Sequence, residues 1–316
     1  MLIRVRILLV LLSMALLSFP LPASGEGTIP IIDAHSQYDQ EISLEEILGL
    51  MEQAGVSRVI LAQRDKVKPR HLLSFASNHP DRIVPAVRTK SGPFIKGSPR
   101  EFEKYLDGQI RQEGFGALAE VLIWHAEKYH HTGKEPVAPK VVSSPASPNV
   151  KIALKKAVRQ GWPFIAHIEF AAIGPERQRF MSEFESLLRE YPDHPFVLIH
   201  MGQLETDEVG RLITDYRNIH FLTAKCNPIA NKNSTQPLVN LFKKNRLAPR
   251  WKKLISAHPD RFILGFDNVW VWHWKKTYVR QARFWRKALK DLPGDAAHLV
   301  AHGNAERLWG IQLSGK

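Results

Sequence analysis

Four residues able to bind a metal or carry a proton stand at or near the carboxyl ends of four separate apolar segments: His35, His167, His200 and Asp267. Imidazole nitrogen and carboxylate oxygen suit Zn²⁺ and related divalent metals. His35, His167 and Asp267 would supply three ligands and leave one position for water, whose pKa a metal lowers toward ~7. His200 could then act as the catalytic base or polarise a substrate carbonyl.

Further polar and aromatic residues lie near the ends of other segments. Glu120 is an additional candidate metal ligand in the fourth apolar segment. Arg88 ends the third segment and could clamp a substrate carboxylate, because a guanidinium binds carboxylate through two parallel hydrogen bonds. The alternative for Arg88 is a surface salt bridge. Trp270 follows Asp267 closely and could line the pocket mouth, or it could pack the eighth helix onto the barrel.

These residues can meet only if the apolar segments form neighbouring strands. The eight segments are short and rich in β-branched and aromatic residues: 30–33, 58–62, 83–88, 117–123, 164–168, 196–200, 219–223 and 262–267. Helical patterns fill the gaps. The first begins at a Ser43–Glu46 capping box and ends at Gly55.

One strand–helix unit per ~35 residues predicts an α/β fold, a (β/α)₈ TIM barrel of one domain over residues 26–316. Active sites of such barrels lie at the carboxyl ends of the strands, where the candidate residues stand. An open, doubly wound sheet is the alternative fold. No glycine-rich phosphate loop follows the first segment to favour it.

The chain resembles the amidohydrolase superfamily, in its amidohydrolase-related (amidohydrolase 2) branch, over nearly its whole length after residue 25. The resemblance implies a barrel hydrolase or decarboxylase that acts on a small carbonyl compound, commonly with a divalent metal such as zinc. The sequence stretches that carry it are Ile32-Asp33-Ala34-His35, Pro163-Phe164-Ile165-Ala166-His167, His200-Met201-Gly202, Gly265-Phe266-Asp267 and Asn304-Ala305-Glu306-Arg307-Leu308-Trp309-Gly310.

One position departs from the family pattern. Metal-binding members usually carry His-x-His in the first strand, and here the sequence is His35-Ser36-Gln37. An amide oxygen suits zinc poorly, so Gln37 is expected to contact substrate or to orient a water. Glu120 or Glu169 could replace the missing ligand. Two alternatives follow: a metal-independent, lactonase-like hydrolase, or a catalytically degenerate barrel that binds a ligand of the cell envelope.

Composition narrows the possible partners. The chain has 316 residues and a formal net charge of +13. No nucleic-acid-binding motif accompanies the basic stretches, so the expected partner is a small, anionic substrate rather than nucleic acid. The one cysteine, Cys226, excludes an intrachain disulfide and a zinc site built from several cysteines. No segment after residue 25 is long and apolar enough to predict a membrane span.

Residues 1–25 predict a cleavable signal peptide and an exported protein, periplasmic or secreted. Arg4 and Arg6 precede an apolar run, and Ala23-Ser24-Gly25 offers small residues at a cleavage site. The alternative is a retained N-terminal anchor helix. We expect mass spectrometry of the native protein to find a mature chain beginning near Glu26. An intact N-terminus on protein from the cytoplasm would contradict export.

Overall fold

The computed structural model describes residues 28–129, 136–232 and 234–313. Each of the eight predicted segments coincides with a strand. The strands are β1 (Ile31–Tyr38), β2 (Val56–Gln63), β3 (Ile83–Val87), β4 in two segments (Ala117–Leu118 and Val121–His125), β5 (Phe164–Ile168), β6 (Phe196–Ile199), β7 (Ile219–Leu222) and β8 (Phe262–Ile263).

A helix of nine residues or more follows each strand. These helices are α1 (Leu44–Ala54), α2 (Pro69–Asn78), α3 (Pro99–Ile110), α4 (Pro148–Gln160), α5 (Arg177–Glu190), α6 (Thr206–Asp215), α7 (Pro249–Ala257) and α8 (Val279–Leu289). The predicted capping box of α1 is formed, since Ser43 and Glu46 each accept from the other's backbone N–H. Gly55 ends α1 with a φ of 63°, in the left-handed region that favours glycine.

Shorter elements connect these units. Short helices lie at Gly92–Lys96, Pro228–Asn231, Gly294–His298 and Asn304–Trp309, and π-helical turns at His273–Tyr278 and Leu299–Gly303. Single 3₁₀ turns lie at Phe170–Ala172, Gly174–Glu176, His200–Gln203 and Pro259–Arg261. Lys128–Tyr129 pairs antiparallel with Pro136–Ala138, Val141–Val142 with the second segment of β4, and Phe242–Lys243 with Arg246–Leu247.

Hydrogen bonding joins the parallel strands into a ring. The first segment of β4 pairs with β3 and the second with β5, so the pairing runs in order from β1 to β8. Backbone N–H groups of Ala34 and Asp267 then bond to the carbonyls of Leu264 and His35, at 3.1 and 2.8 Å. These bonds connect β1 with the segment that directly follows β8, and they favour a closed barrel over the open-sheet alternative.

Gly265 permits the close approach at this seam. A Cβ built on Gly265 would lie 2.9 Å from Leu222 Cδ1 and 3.4 Å from the backbone nitrogen of His35. A larger residue would therefore force the Leu222 side chain to shift and would crowd the backbone of His35.

Small and branched side chains fill the inside of the ring. Ala34, Ala62, Ala86 and Ala119 are buried there with isoleucines and valines of the same strands. The final helix closes the amino-terminal end of the barrel: Trp309 packs on this interior, and Asn304 donates to the carbonyls of Pro259 and Phe262, where β8 begins. The candidate catalytic residues lie at the opposite, carboxyl end of the barrel.

Residues 1–25, predicted as a signal peptide, lie outside the described residues. Within the part of the chain that is described, no helix combines the length and the apolar character needed to cross a bilayer.

Truncating the residue that closes the barrel should destabilise the fold. Trp309 is 7% exposed and packs on the barrel interior. Trp309→Ala should lower the free energy of unfolding by about 3–5 kcal/mol, because the barrel cannot collapse to fill the space. Trp272, 39% exposed, provides the control, and Trp272→Ala should change stability by less than ~0.5 kcal/mol. Equal effects in urea unfolding would contradict this account of the final helix.

Candidate metal and catalytic site

The fold brings the predicted site residues to the carboxyl end of the barrel. His35 and Gln37 are two residues apart in β1 and so lie on one face of that strand. Glu120 lies between the two segments of β4, and His167 lies within β5. The remaining two follow strands: His200 comes after β6 and Asp267 after β8. All of these side chains are buried.

Backbone strain accumulates at the same end. His200, Lys225 and Asp267 follow β6, β7 and β8 with φ angles of 56°, 57° and 50°, in the left-handed region. Such a conformation costs a non-glycine residue about 1–3 kcal/mol and is common at functional sites, where surrounding structure holds it. At these three residues the backbone leaves the extended strand conformation, next to the predicted site residues.

Glu120 lies at the centre of the cluster. Its Oε1 accepts a hydrogen bond from Gln37 Nε2 at 3.1 Å and lies 3.4 Å from His35 Nε2. The same carboxylate forms an ion pair with Lys90, and its Oε2 bonds to Nδ1 of His167. Burial raises the pKa of Glu120, but Lys90 and His167 outweigh burial and hold that pKa well below its ordinary value.

His167 lies between two carboxylates. Nδ1 contacts Glu120 and Nε2 lies 3.1 Å from Glu169 Oε1. Burial lowers the pKa of His167, but Glu120 and Glu169 outweigh burial and raise it above its ordinary value. Glu169 also accepts from the backbone N–H of Ala126 at 2.6 Å and pairs with Lys128.

Asp267 lies on the other side of Gln37. Its Oδ1 accepts from Gln37 Nε2 at 3.3 Å and lies 3.8 Å from His35 Nε2, while its Oδ2 is 3.6 Å from Lys225 Nζ. Burial and the nearby Glu120 raise the pKa of Asp267, but Lys225 and the imidazoles of His200 and His35 hold it below its ordinary value. Asp267 is therefore a carboxylate at neutral pH.

His200 is arranged as a neutral proton acceptor. Its Nδ1 lies 2.9 Å from the carbonyl of Ala224, which can only accept, so this nitrogen carries the proton. Nε2 is left as the acceptor and lies 3.7 Å from Asp267 Oδ2. Burial, with His167 nearby, lowers the pKa of His200 to about 4, so the ring is uncharged at neutral pH.

Two side chains of β1 hold the β8 end in place. Asp33 accepts from Ser36 Oγ at 2.6 Å and from the backbone N–H of Phe266 at 2.9 Å. Ser36 Oγ in turn accepts from the backbone N–H of Asn268 at 3.1 Å. The peptide groups on both sides of Asp267 are thus bonded to β1, which positions its carboxylate against His35 and Gln37.

Two of the three predicted substrate contacts, Arg88 and Trp270, have other close neighbours. The Arg88 guanidinium donates to the carbonyls of Lys90 and Asp65, at 2.7 and 3.0 Å. The indole of Trp270 lies under the Arg64 guanidinium, whose carbon is 4.1 Å from the ring centroid. Substrate contact by Arg88, Gln37 or Trp270 stays a prediction.

Three lysines of the site received no role from the sequence. Lys90 and Lys225 lie just after β3 and β7, where basic residues are visible in the sequence, and Arg88 and Lys90, two residues apart, would share a face if β3 continued past both. β3 ends at Val87, so the alternation of a strand does not extend to Lys90. Lys128 lies in a connection with no periodic pattern, and nothing in the sequence marks it.

Two overlapping sets of side chains could hold a metal ion. His35, Glu120 and Asp267 each offer a ligand atom within 4.8 Å of the others, and so do Glu120, His167 and His200. Imidazole with carboxylate is a donor set that suits zinc. The four predicted ligands are thus divided between two sets that share Glu120. Gln37 Nε2 lies between Glu120 and Asp267 and is a donor, not a ligand, in this orientation.

The sequence matches the family model described as Amidohydrolase over residues 18–311. The chain therefore belongs to the amidohydrolase family. No curated protein matches it significantly.

Solved structures share the barrel at low sequence identity. A TIM-barrel protein from Bordetella bronchiseptica aligns with a TM-score of 0.61 and 14% identity over 89% of this chain and 98% of that one. A zinc-bound amidohydrolase from Burkholderia multivorans gives 0.53 and 11% over 89% and 99%. Dihydroorotase from Saccharomyces cerevisiae, in complex with 5-fluoroorotic acid, gives 0.53 and 11% over 89% and 84%. These similarities support the fold.

Neutralising the central carboxylate should disturb the whole cluster. Glu120→Gln leaves Lys90 and His167 without their shared partner, which should lower the free energy of unfolding by about 3–5 kcal/mol. The pKa of His167 should fall, since Glu120 raises it. Denaturant unfolding and NMR titration of the histidines measure both effects. Exposed Glu113 provides the control, Glu113→Gln. An unchanged His167 pKa in folded Glu120→Gln would contradict this description of the site.

Proposed function

We propose that the protein is a hydrolase that cleaves a small, anionic, carbonyl-containing substrate with the help of a divalent metal, zinc being the best match to the donors. Decarboxylation of such a substrate is the related reaction that the same site could perform. The observation that carries the proposal is the convergence of His35, Glu120 and Asp267 within 4.8 Å at the carboxyl end of the barrel.

The electrostatics of this set support a bound cation. Glu120 and Asp267 are both buried carboxylates, and the charge of Glu120 acts to raise the pKa of Asp267. Two negative charges held this close in a dry site are stabilised by nearby positive charge, which a divalent cation would add to that of the lysines. His35, Glu120 and Asp267 would hold the metal, and His167 or His200 could join Glu120 in the second set. A bound divalent metal makes a nucleophilic hydroxide available from water at neutral pH and polarises a carbonyl group.

The charge of each remaining side chain determines its role in proton transfer. His200, neutral with a free Nε2, can accept a proton from the attacking water or donate it onward after the step. Asp267 lies 3.7 Å from that nitrogen and stabilises the imidazolium when the proton arrives. Burial of both groups keeps bulk water away and strengthens their interaction.

A metal-independent hydrolase is the second candidate, and one observation favours it. The Gln37 amide and the lysines Lys90 and Lys225 already supply hydrogen bonds and positive charge to Glu120 and Asp267. In that case His200 and Asp267 would activate water directly. We also propose that the working protein is the exported chain 26–316, as the character of residues 1–25 suggests.

Replacing Gln37 distinguishes the two candidates. Gln37→His exchanges a neutral amide for an imidazole ligand, so a metal site should bind zinc or manganese roughly 10–100-fold more tightly in the variant. Titration of metal into chelator-treated wild type and variant, followed by calorimetry, measures the gain. Gln37→Asn provides the control, because it keeps the amide and should show no gain.

The wild-type activity completes the test. Hydrolysis of a panel of small lactones, amides and carboxylated carbonyl compounds should fall on chelation and return with zinc. Negligible metal binding by both proteins, with wild-type hydrolysis unaffected by chelator, would favour the metal-independent candidate. Absence of any hydrolysis or decarboxylation with and without metal would contradict both and favour a binding protein.

A further inference from the structure

A pair of histidines lies at the amino-terminal end of the barrel, away from the candidate catalytic residues. His298 ends the short helix Gly294–His298, and His302 lies four residues later in the π-helical turn Leu299–Gly303. Glu306 follows after four more residues, in the final helix. His298 is exposed, and His302 and Glu306 are half-buried. An ion in solvent can therefore reach both imidazoles.

The nitrogens of the two imidazoles are spaced as zinc ligands are. Nδ1 of His298 lies 3.3 Å from Nε2 of His302. Zinc binds imidazole nitrogen at ~2.0–2.1 Å in tetrahedral geometry, so two such nitrogens on one ion are about 3.3–3.4 Å apart. The observed separation matches an edge of this tetrahedron, and rotation of the exposed His298 ring can direct both lone pairs at one ion.

Glu306 prepares His302 to act as a ligand. Its Oε2 lies 2.6 Å from Nδ1 of His302, and a carboxylate can only accept, so this nitrogen carries the proton. Nε2 of neutral His302 then keeps its lone pair, on the side of His298. Metal-binding histidines almost always donate their other ring N–H to a carboxylate, a carbonyl or a water, which fixes the ring and raises its basicity.

The barrel holds the backbone of this segment in place. The carbonyl of Val300 accepts from the backbone N–H of Leu264 at 3.0 Å, directly after β8. Asn304 donates to two backbone carbonyls where β8 begins, and Oε1 of Glu306 accepts from the backbone N–H of Leu313 at 3.1 Å. The turn that carries His302 is therefore ordered before an ion arrives, which lowers the entropy cost of binding.

We propose that His298 and His302 form a binding site for a divalent transition metal, zinc above all, with Glu306 as the positioning residue behind His302. Water would complete the tetrahedron. Imidazole suits zinc, copper and nickel, whereas Mg²⁺ and Ca²⁺ prefer oxygen ligands and should not bind here. With the ion bound, the proton of neutral His298 resides on its Nε2, so the two rings release no net proton.

The site does not depend on the function proposed above, because it lies at the other end of the barrel. A bound ion would join the helix Gly294–His298 to the turn that leads into the final helix. Since the final helix closes the barrel, zinc should stabilise this closure by binding the folded state alone.

Residue-resolved labelling tests this site separately from the catalytic end. Histidines of the chelator-treated wild-type protein are labelled with diethyl pyrocarbonate and quantified by mass spectrometry during titration with zinc or magnesium. Zinc should protect His298 and His302 with one shared midpoint, because it occupies the lone pairs that react. Exposed His71 on α2 should stay reactive, and magnesium should protect none of the three. The midpoint should be the same at two protein concentrations, since both ligands belong to one chain.

Variants measure the contribution of each residue. His298→Asn should raise the zinc concentration that half-protects His302 by at least ~10-fold, because even loss of an outer hydrogen-bond partner has an effect of this size. Glu306→Gln keeps an oxygen for Leu313 and both ligands, and should raise the midpoint roughly 10–100-fold. His71→Asn should leave it unchanged. Circular dichroism shows whether each variant is folded, and the labelling of wild type gives the answer even if a variant is not.

Any of four outcomes would overturn the proposal. They are absence of saturable protection of His298 and His302 up to about 1 mM zinc, equal protection of His71, an unchanged His302 midpoint in folded His298→Asn, or a midpoint that shifts with protein concentration, as bridging between chains would give. Protection of the pair in a protein that never hydrolyses any substrate would support this site and contradict the proposed function, so the two can fail separately.

Discussion

Burying carboxylates without losing their charge is the constraint on which the rest of the site depends. Glu120, Glu169 and Asp267 lie almost out of contact with water, and an unpaired charge there would be protonated or would unfold the protein. Each of these carboxylates forms an ion pair with a lysine, and histidine imidazoles lie between them. When a ligand, proton or metal changes the charge of the site, the protonation or pairing of these same carboxylates, lysines and imidazoles must therefore change with it.

The contact between β1 and the end of β8 closes the barrel and also brings together the charged residues of the site. β1 supplies His35 and Gln37, and β8 ends at Asp267, so the ring must close before the two parts of the site can meet. Asp33 and Ser36 make the closure specific, because they bond to the peptide groups that flank Asp267. Burial raises the pKa of Asp33 to about 7, which indicates how much its surroundings resist its charge. Fold stability and site geometry are therefore linked through β1.

The sequence was sufficient to predict the strands and helices but not the contacts between side chains in the site. Continuous apolar segments specify buried parallel strands, and all eight were found where β-branched residues are concentrated. The grouping of His35, His167, His200 and Asp267 followed from the rule that parallel strands present their carboxyl ends together. The break in β4 at Glu120 was not foreseen, because pairing with different neighbours on its two sides is a tertiary effect. The sequence places Lys90 and Lys225 after two strands, but it does not reveal their carboxylate partners or the contribution of Lys128, because the positions of long, flexible side chains depend on charges that only the fold brings together.

Gln37 shows how one neutral residue can keep such a site balanced. Its side-chain amide donates to Glu120 and Asp267 together, and its backbone carbonyl accepts from the buried indole of Trp274. A histidine at this position would need either a metal to bind or a proton to carry between the same two carboxylates. The amide does neither, and it links the carboxylates without adding charge. Lys90 and Lys225 then supply positive charge directly beside the two carboxylates. Glutamine at this position therefore leaves the charge of Glu120 and Asp267 to be compensated by the lysines and the neighbouring imidazoles.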